Sequence, residues 1–298
     1  MKINTKWLLL IALALIWGSS FILIKKSLLG FTAFQLGALR TVLTGILLLT
    51  FGYKSLKTIE KWQWKWIAIS GFVGSFIPAF LFAIAETEID SAVTSVLNSL
   101  TPLNTILIGF SLFGISSTKR QVLGVIIGFI GTSILIINGA DLNPNQNYYF
   151  AGFVIASTFL YATNVNIIKR YLQDVKPIAI AAGNYVAIGL PGLIALILSG
   201  FFQTSTFEHE EFAFSMLCVF LLALFGTALA KILFNRLVQI SSPVFATSVT
   251  YLMPIVALVW GLVDGETFGW IQLMATVVIL FGVFLANGKK RQKKSEIV

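Results

Sequence analysis

Two prolines lie in the middle of long apolar stretches, and each removes a backbone hydrogen bond there. Pro102 and Pro254 have no amide hydrogen, so in a helix each frees the carbonyl four residues earlier, on Asn98 and Thr250. Inside a membrane, a freed carbonyl is tolerated where it faces protein or a water-filled cavity. The pair therefore indicates either a binding site at the two breaks or a packing kink that a neighbouring helix satisfies.

Other side chains able to hold a small molecule occur in the same apolar stretches. Asparagine is the most informative, because its two donors and its acceptor oxygen are costly to bury, whereas serine and threonine more often join helices. The candidate substrate-binding residues are Trp17, Ser20, Arg40, Asn98, Thr101, Pro102, Tyr161, Asn164, Lys231, Thr250, Tyr251 and Pro254.

Two of these candidates are cations within apolar stretches, where an ionisable residue suggests a functional site. Arg40 could instead pair with Glu86 or Glu88, a structural role. Lys231 is close enough to one end of its stretch for its long side chain to reach the membrane surface.

Residues for catalysis, metal binding or ATP binding are missing from the patterns in which they usually occur. No Asp or Glu lies well inside a predicted helix, and the single histidine, His209, falls in a polar break. The sequence also has no phosphate-binding loop, metal-ligand spacing or nucleophile motif. We therefore expect no enzyme activity, cofactor, metal or ATPase partner, and find no positive sign of proton coupling.

The elements that carry these residues are predicted to be membrane-spanning helices. The chain of 298 residues is 57% hydrophobic and 11% charged, whereas a soluble domain carries about 25% charge. Apolar stretches of spanning length predict an all-α integral membrane protein with ten transmembrane helices. The predicted helices cover 7–24, 33–52, 65–85, 91–113, 119–138, 148–170, 177–200, 213–236, 243–263 and 268–287.

Basic residues set the predicted orientation. With the N-terminus inside, 17 of the 21 lysines and arginines fall on the inner side, including a basic cytoplasmic tail at 289–298. Lys25 and Lys26 are the two in an outer break. This asymmetry predicts an inner-membrane protein with both termini in the cytoplasm. The net charge of +9 therefore reflects topology, and we expect the lipid bilayer, not nucleic acid, as its partner.

The chain repeats weakly against itself, with 1–140 as the first unit and 147–288 as the second. Gly226 lies 152 residues after Gly74, and Pro254 lies 152 residues after Pro102. Five helices in each half would make the second half enter the membrane from the opposite side. Two inverted five-helix repeats are a common construction of secondary transporters.

Several short motifs occur in the order typical of one family. They are Trp17-Gly18-Ser19-Ser20-Phe21 followed by Lys25, then Arg40, then the segments Leu100-Thr101-Pro102-Leu103 and Leu252-Met253-Pro254-Ile255, and finally Gly265-Glu266. In this order the chain resembles EamA-type members of the drug/metabolite transporter superfamily. It departs from the family at Gly114-Ile115-Ser116, where a Gly-Glu pair is common, at Tyr161, and at Lys231.

The resemblance implies an exporter of small metabolites, such as amino acids or related compounds, that works by alternating access. It also implies a central cavity lined by predicted helices 1, 3, 4, 6, 8 and 9. A lipid or glycolipid translocator of the same fold and a non-transporting membrane scaffold remain alternatives. Neither the resemblance nor the residues specify the substrate, the direction of transport, the coupling ion or the oligomeric state.

Overall fold

A computed structural model describes residues 5–113, 119–142 and 145–286, and every regular element in these ranges is helical. The predicted tail at 289–298 and the Gly114-Ile115-Ser116 departure lie outside the described residues. The long helices are α1 (Thr5–Ser27), α2 (Ala33–Thr58), α3 (Lys61–Ala85), α4 (Ser91–Phe113), α5 (Lys119–Leu142), α6 (Tyr148–Tyr171), α7 (Pro177–Leu198), α8 (Phe212–Ile240), α9 (Pro243–Val263) and α10 (Trp270–Ala286).

Eight of these helices are long and apolar enough to cross a membrane, namely all except α5 and α10. The apolar parts of α5 and α10 are shorter and cover Val122–Asn138 and Trp270–Gly282. The all-helical prediction is therefore confirmed for the described residues. One boundary differs in an informative way: α1 continues to Ser27, so Lys25 and Lys26 lie in its last turn and not in a break.

Local sequence signals explain where several helices begin. Thr32 and Gln35 form a capping box at the start of α2, with the Gln35 amide donating to Thr32 Oγ1 over 3.2 Å and the Thr32 amide donating to Gln35 Oε1 over 2.9 Å. Pro177 and Pro243 occupy the first turn of α7 and α9. Amides in the first turn have no acceptor within the helix, so proline costs no hydrogen bond there.

Both central prolines interrupt their helices. In α4 the α-helical hydrogen bonding stops after Asn98 and resumes at Thr101. The Asn98 carbonyl that Pro102 frees accepts a hydrogen bond of 2.7 Å from Thr101 Oγ1. In α9 a 3-10 segment, Ser248–Tyr251, precedes Pro254. The two breaks are thus equivalent in position and are stabilised by local bonds.

Helices α3 and α8 each contain a π-helical segment that the sequence reasoning did not predict. These segments cover Phe72–Phe76 and Leu222–Leu229 and include Gly74 and Gly226. A π turn widens the helix and leaves carbonyls outside the normal ladder, and such turns are frequent at functional sites. One of these carbonyls, that of Gly226, accepts a hydrogen bond of 2.9 Å from Trp17 Nε1.

Small residues bring peripheral helices into close contact. Helix α5 packs along α10, and a Cβ on Gly131 would lie 2.9 Å from Ile279 Cγ1. A Cβ on Gly282 would lie 2.6 Å from the backbone nitrogen of Gly128. Close backbone approach of this kind is how helices associate where no water drives them together. The α5–α10 pair therefore lies to one side of the other eight helices, which surround a central cavity.

Candidate functional site

A cavity of about 120 Å³ lies inside the bundle. Its walls come from eight of the described helices, α1 to α4 and α6 to α9. The six helices that the family resemblance implied all contribute, and two more join them, α2 through Arg40 and Thr41 and α7 through Tyr185. Because helices of both halves form its wall, the cavity lies between the two halves of the chain.

The structure brings nine of the twelve predicted binding residues to the cavity wall. They are Trp17, Ser20, Arg40, Asn98, Thr101, Tyr161, Asn164, Lys231 and Thr250. The other three, Pro102, Tyr251 and Pro254, do not line it, although each lies within or next to one of the two helix breaks. Substrate binding by the other nine remains a prediction.

Each cavity cation is hydrogen-bonded to a hydroxyl of the other half of the chain. Arg40 Nε donates to Thr227 Oγ1 over 2.9 Å, and Lys231 Nζ donates to Ser75 Oγ over 2.5 Å. The partner of Arg40 is thus Thr227 and neither Glu86 nor Glu88. Lys231 is 7% exposed, so its ammonium does not reach the membrane surface.

Ser75 and Thr227 are functional candidates that the sequence reasoning missed. They follow Gly74 and Gly226, and they are separated by the same 152 residues. Both lie in the π-helical segments, which turn their hydroxyls toward the cavity. The glycine match was visible in the sequence, and the hydroxyl that follows each glycine was the available signal.

The buried asparagines of the described residues divide into two groups. Those that line the cavity are Asn98, Asn164 and Asn235, and Asn164 Oδ1 accepts a hydrogen bond of 2.6 Å from Ser70 Oγ. Those that lie outside the cavity and join helices are Asn104, Asn166 and Asn184. Asn104 Nδ2 donates to Thr158 Oγ1 and Asn184 Nδ2 to the Ile67 carbonyl, over 2.7 and 2.6 Å.

A cluster of charged residues ties α1, α4 and α9 together at one end of the bundle. Lys25 Nζ lies 2.7 Å from Glu266 Oε1, 3.6 Å from Asp264 Oδ2 and 3.9 Å from Asp90 Oδ1. Lys26 also pairs with Asp264. Lys25 follows Ile24, which lines the cavity, so the charge cluster lies near one end of the cavity.

Glu266 also holds the beginning of α4. Its Oε1 accepts hydrogen bonds from the Ser91 amide at 3.0 Å and the Ser91 hydroxyl at 2.7 Å, and its Oε2 accepts one from the Ala92 amide at 3.1 Å. Glu86, just beyond the end of α3, is buried beside this group. Burial, followed by the nearby charge of Glu266, raises the pKa of the Glu86 carboxyl well above its usual range.

A helical membrane protein whose two halves surround a central cavity, with polar side chains from both halves in its wall, has the architecture of a membrane transporter. The chain belongs to the EamA-like transporter family, whose model matches residues 5–137 and 150–288. The resemblance seen in the sequence motifs is thereby confirmed.

Individual relatives agree with this assignment. The chain is 29% identical to YedA, an inner membrane transporter of Escherichia coli, over 93% of this chain and 89% of that protein. It is 23% identical to the protein PecM of Dickeya dadantii over 94% of each chain. A crystal structure that is 18% identical, with a TM-score of 0.67 over 94% of this chain and 95% of that one, has the same fold.

Proposed function

We propose that the protein is a secondary transporter that exports small metabolites, amino acids or related compounds, across the inner membrane by alternating access. The observation that carries the proposal is the cavity between the two halves of the chain, lined by polar side chains of eight helices. Family membership supports transport as the activity, and the relative in Escherichia coli supports the inner membrane as its location.

We further propose that α5 and α10 also cross the membrane, which gives ten spans in two inverted repeats, 1–140 and 147–288. Two observations support the inverted arrangement. The proline breaks of α4 and α9 are equivalent, and the π segments of α3 and α8 contain the equivalent glycines Gly74 and Gly226. With both termini cytoplasmic, as the basic residues indicate, the charge cluster around Lys25 lies on the outer side.

Alternating access then follows from the placement of the breaks and the charge cluster. The helix breaks give α4 and α9 points at which their two ends can tilt independently. The ion pairs of Lys25 hold the outer ends of α1, α4 and α9 together. We infer that this conformation is closed to the outside and that release of the substrate requires these pairs to separate.

The test is an export profile of cells with and without the gene, followed by flux measurements in proteoliposomes. Thr250→Phe would place an aromatic ring in the cavity, while Val259→Phe adds the same ring on an exposed face of the same helix. We expect the first variant to lose export at least about tenfold and the second to retain it, at equal amounts of protein. Equal export by both variants would refute transport through this cavity.

A lipid translocator remains the second candidate because of one surface feature. A mostly apolar crevice lies between α1, α8 and α9, lined by Leu23 and Leu217 and by the exposed Val263, with Lys26 and Asp264 also in its wall. A lipid chain could lie along such a crevice with its headgroup near the charged pair. Movement of labelled phospholipid between leaflets of the proteoliposomes, without metabolite flux, would favour this function.

A further inference from the structure

Among the described residues, the cavity wall contains two cations and no acidic side chain. Arg40 and Lys231 both line the cavity, and none of the described lining residues is Asp or Glu. We propose that the substrate carries an anionic group, a carboxylate or a phosphate, that binds between Arg40 and Lys231. This inference rests on the proposed transport function, since it names the substrate class of the same cavity.

The energetic argument begins with the cost of the two charges. A buried charge without a counter-ion is strongly unfavourable, and pairing or ligand binding normally compensates it. Lys231 is buried and Arg40 is half-buried, so this cost is larger for Lys231. In the described part of the chain, the ion pairs involve Lys25 and Lys26 and neither cavity cation. Their hydrogen-bond acceptors, Thr227 and Ser75, are neutral hydroxyls. The cavity wall therefore carries unbalanced positive charge.

Glu86, whose carboxyl is influenced by the charge of Arg40, is a candidate for an internal counter-charge, but it does not supply one. It forms no ion pair with either cation within the described residues. The pKa of its buried carboxyl is raised, chiefly by desolvation and then by Glu266, which favours the neutral acid. An anion that enters the cavity is therefore the available source of compensating charge.

The geometry of Arg40 suits such an anion. The bond to Thr227 uses Nε and so fixes the guanidinium plane. Among the described residues no acceptor is bonded to the two Nη atoms, which are the donors that carboxylates and phosphates bind in bidentate fashion. Lys231 contributes a second charge from the opposite half of the chain. An anion bridging the two would thus hold the halves of the chain together.

The other residues of the cavity wall limit the size and polarity of the rest of the substrate. Trp17, Phe82, Tyr161 and Phe234 supply apolar and aromatic surface. The volume of about 120 Å³ is below the roughly 150 Å³ of an engineered cavity that admits benzene. Without a carboxylate in the wall, an ammonium group has no ion-pair partner. Within the metabolites of the proposed function, the favoured substrate is thus a compact organic anion related to amino acids, and the zwitterionic amino acids themselves are disfavoured.

The first experiment measures binding to the purified full-length protein by thermal unfolding at constant ionic strength. The probes are propionate, its neutral isostere propionamide, the zwitterion alanine and inorganic phosphate. We expect propionate or phosphate to raise Tm by about 2–4 °C at several times its Kd, and propionamide and alanine to have little effect. The larger of the two anion responses identifies the preferred group. Equal shifts with propionate and propionamide would overturn the proposal.

Variants then assign the response to the two cations. Arg40→Gln and Lys231→Met should lose the anion response and, without ligand, should melt above the wild type, because an uncompensated charge has been removed. Lys61→Gln, an exposed lysine at the start of α3, is the control and should keep both wild-type values. If either cavity variant melts lower and keeps the anion response, its cation is structural and the proposal fails.

Flux measurements separate this inference from the proposed function. If the anion response is present but no compound crosses the proteoliposome membrane, the binding inference stands and the transport proposal falls. If propionamide or alanine crosses as fast as propionate, and both cavity variants transport normally, the protein is a transporter and the anionic substrate class is wrong.

Discussion

Removal of the Lys25 charge is the perturbation with the clearest expected energy. The side chain of Glu266 is 2% exposed, and Lys25 Nζ lies 2.7 Å from its Oε1. Lys25→Met would leave this buried carboxylate with three neutral donors, the amide and hydroxyl of Ser91 and the amide of Ala92. The variant should therefore be less stable, because the carboxylate loses its only cationic partner in the described part of the chain.

The magnitude follows from the burial of the two partners. Removing one member of a fully buried ion pair costs about 3–5 kcal/mol. Lys25 is 32% exposed, so solvent already weakens the pair. The expected loss in the free energy of unfolding is therefore about 3 kcal/mol. Lys26, which is 34% exposed and pairs with Asp264, is the matched control. For Lys26→Met we expect about 1 kcal/mol or less.

The assay is a double-mutant cycle on the free energy of unfolding in mixed micelles. Lys25→Met, Glu266→Gln and the double variant are compared with the wild type, and the double variant should recover part of the summed losses. We expect a coupling energy of about 2 kcal/mol. A coupling energy below about 0.5 kcal/mol, or equal losses for Lys25→Met and Lys26→Met, would refute the view that this pair ties the helix ends together.

Three further predictions concern pH, the helix breaks and topology. Because the folded-state pKa of Glu86 is raised, its stabilising contribution is complete below the unfolded pKa and is lost as pH rises through the folded pKa. Glu86→Gln should therefore raise Tm at neutral pH, with the difference from wild type vanishing in acid; a constant difference would contradict this. Pro102→Ala and Pro254→Ala should leave Tm unchanged or slightly higher and should lower the flux. A lower Tm with normal flux would show that the prolines serve packing only. Reporter fusions after Val298 and within 203–211 should report cytoplasmic and external locations, and a cytoplasmic 203–211 would break the inverted repeat.

The helices themselves were predictable because a membrane permits few alternatives. An apolar stretch of spanning length has to bond its own backbone, and a helix is the form that does so within one segment. The prolines likewise predicted where α4 and α9 would break, because a residue without an amide hydrogen cannot donate its helical hydrogen bond. The end of α1 was placed three residues short, since Lys25 and Lys26 were taken as residues of a polar break.

The pairing of charges was not predictable from the same reasoning. From the sequence, Arg40 had Glu86 and Glu88 as possible partners, and Lys25 had none. The structure pairs Lys25 with Glu266, 241 residues away, and gives Arg40 a hydroxyl of the other half. Such pairs depend on how helices rotate and tilt against one another. The hydropathy pattern does not encode those angles, because lipid and neighbouring helices are equally apolar.

The sequence by itself thus determined the membrane-embedded helical class, the proline breaks and nine residues of the cavity wall. Those properties follow from hydropathy and backbone chemistry, which act within one segment. Tertiary structure decided that Ser75 and Thr227 accept hydrogen bonds from the two cavity cations. It also decided that Pro102, Tyr251 and Pro254 do not line the cavity. The π segments of α3 and α8 turn those hydroxyls inward, and in α8 the hydrogen bond from Trp17 Nε1 of α1 to the Gly226 carbonyl stabilises the widened turn, a contact that exists only once the helices pack together.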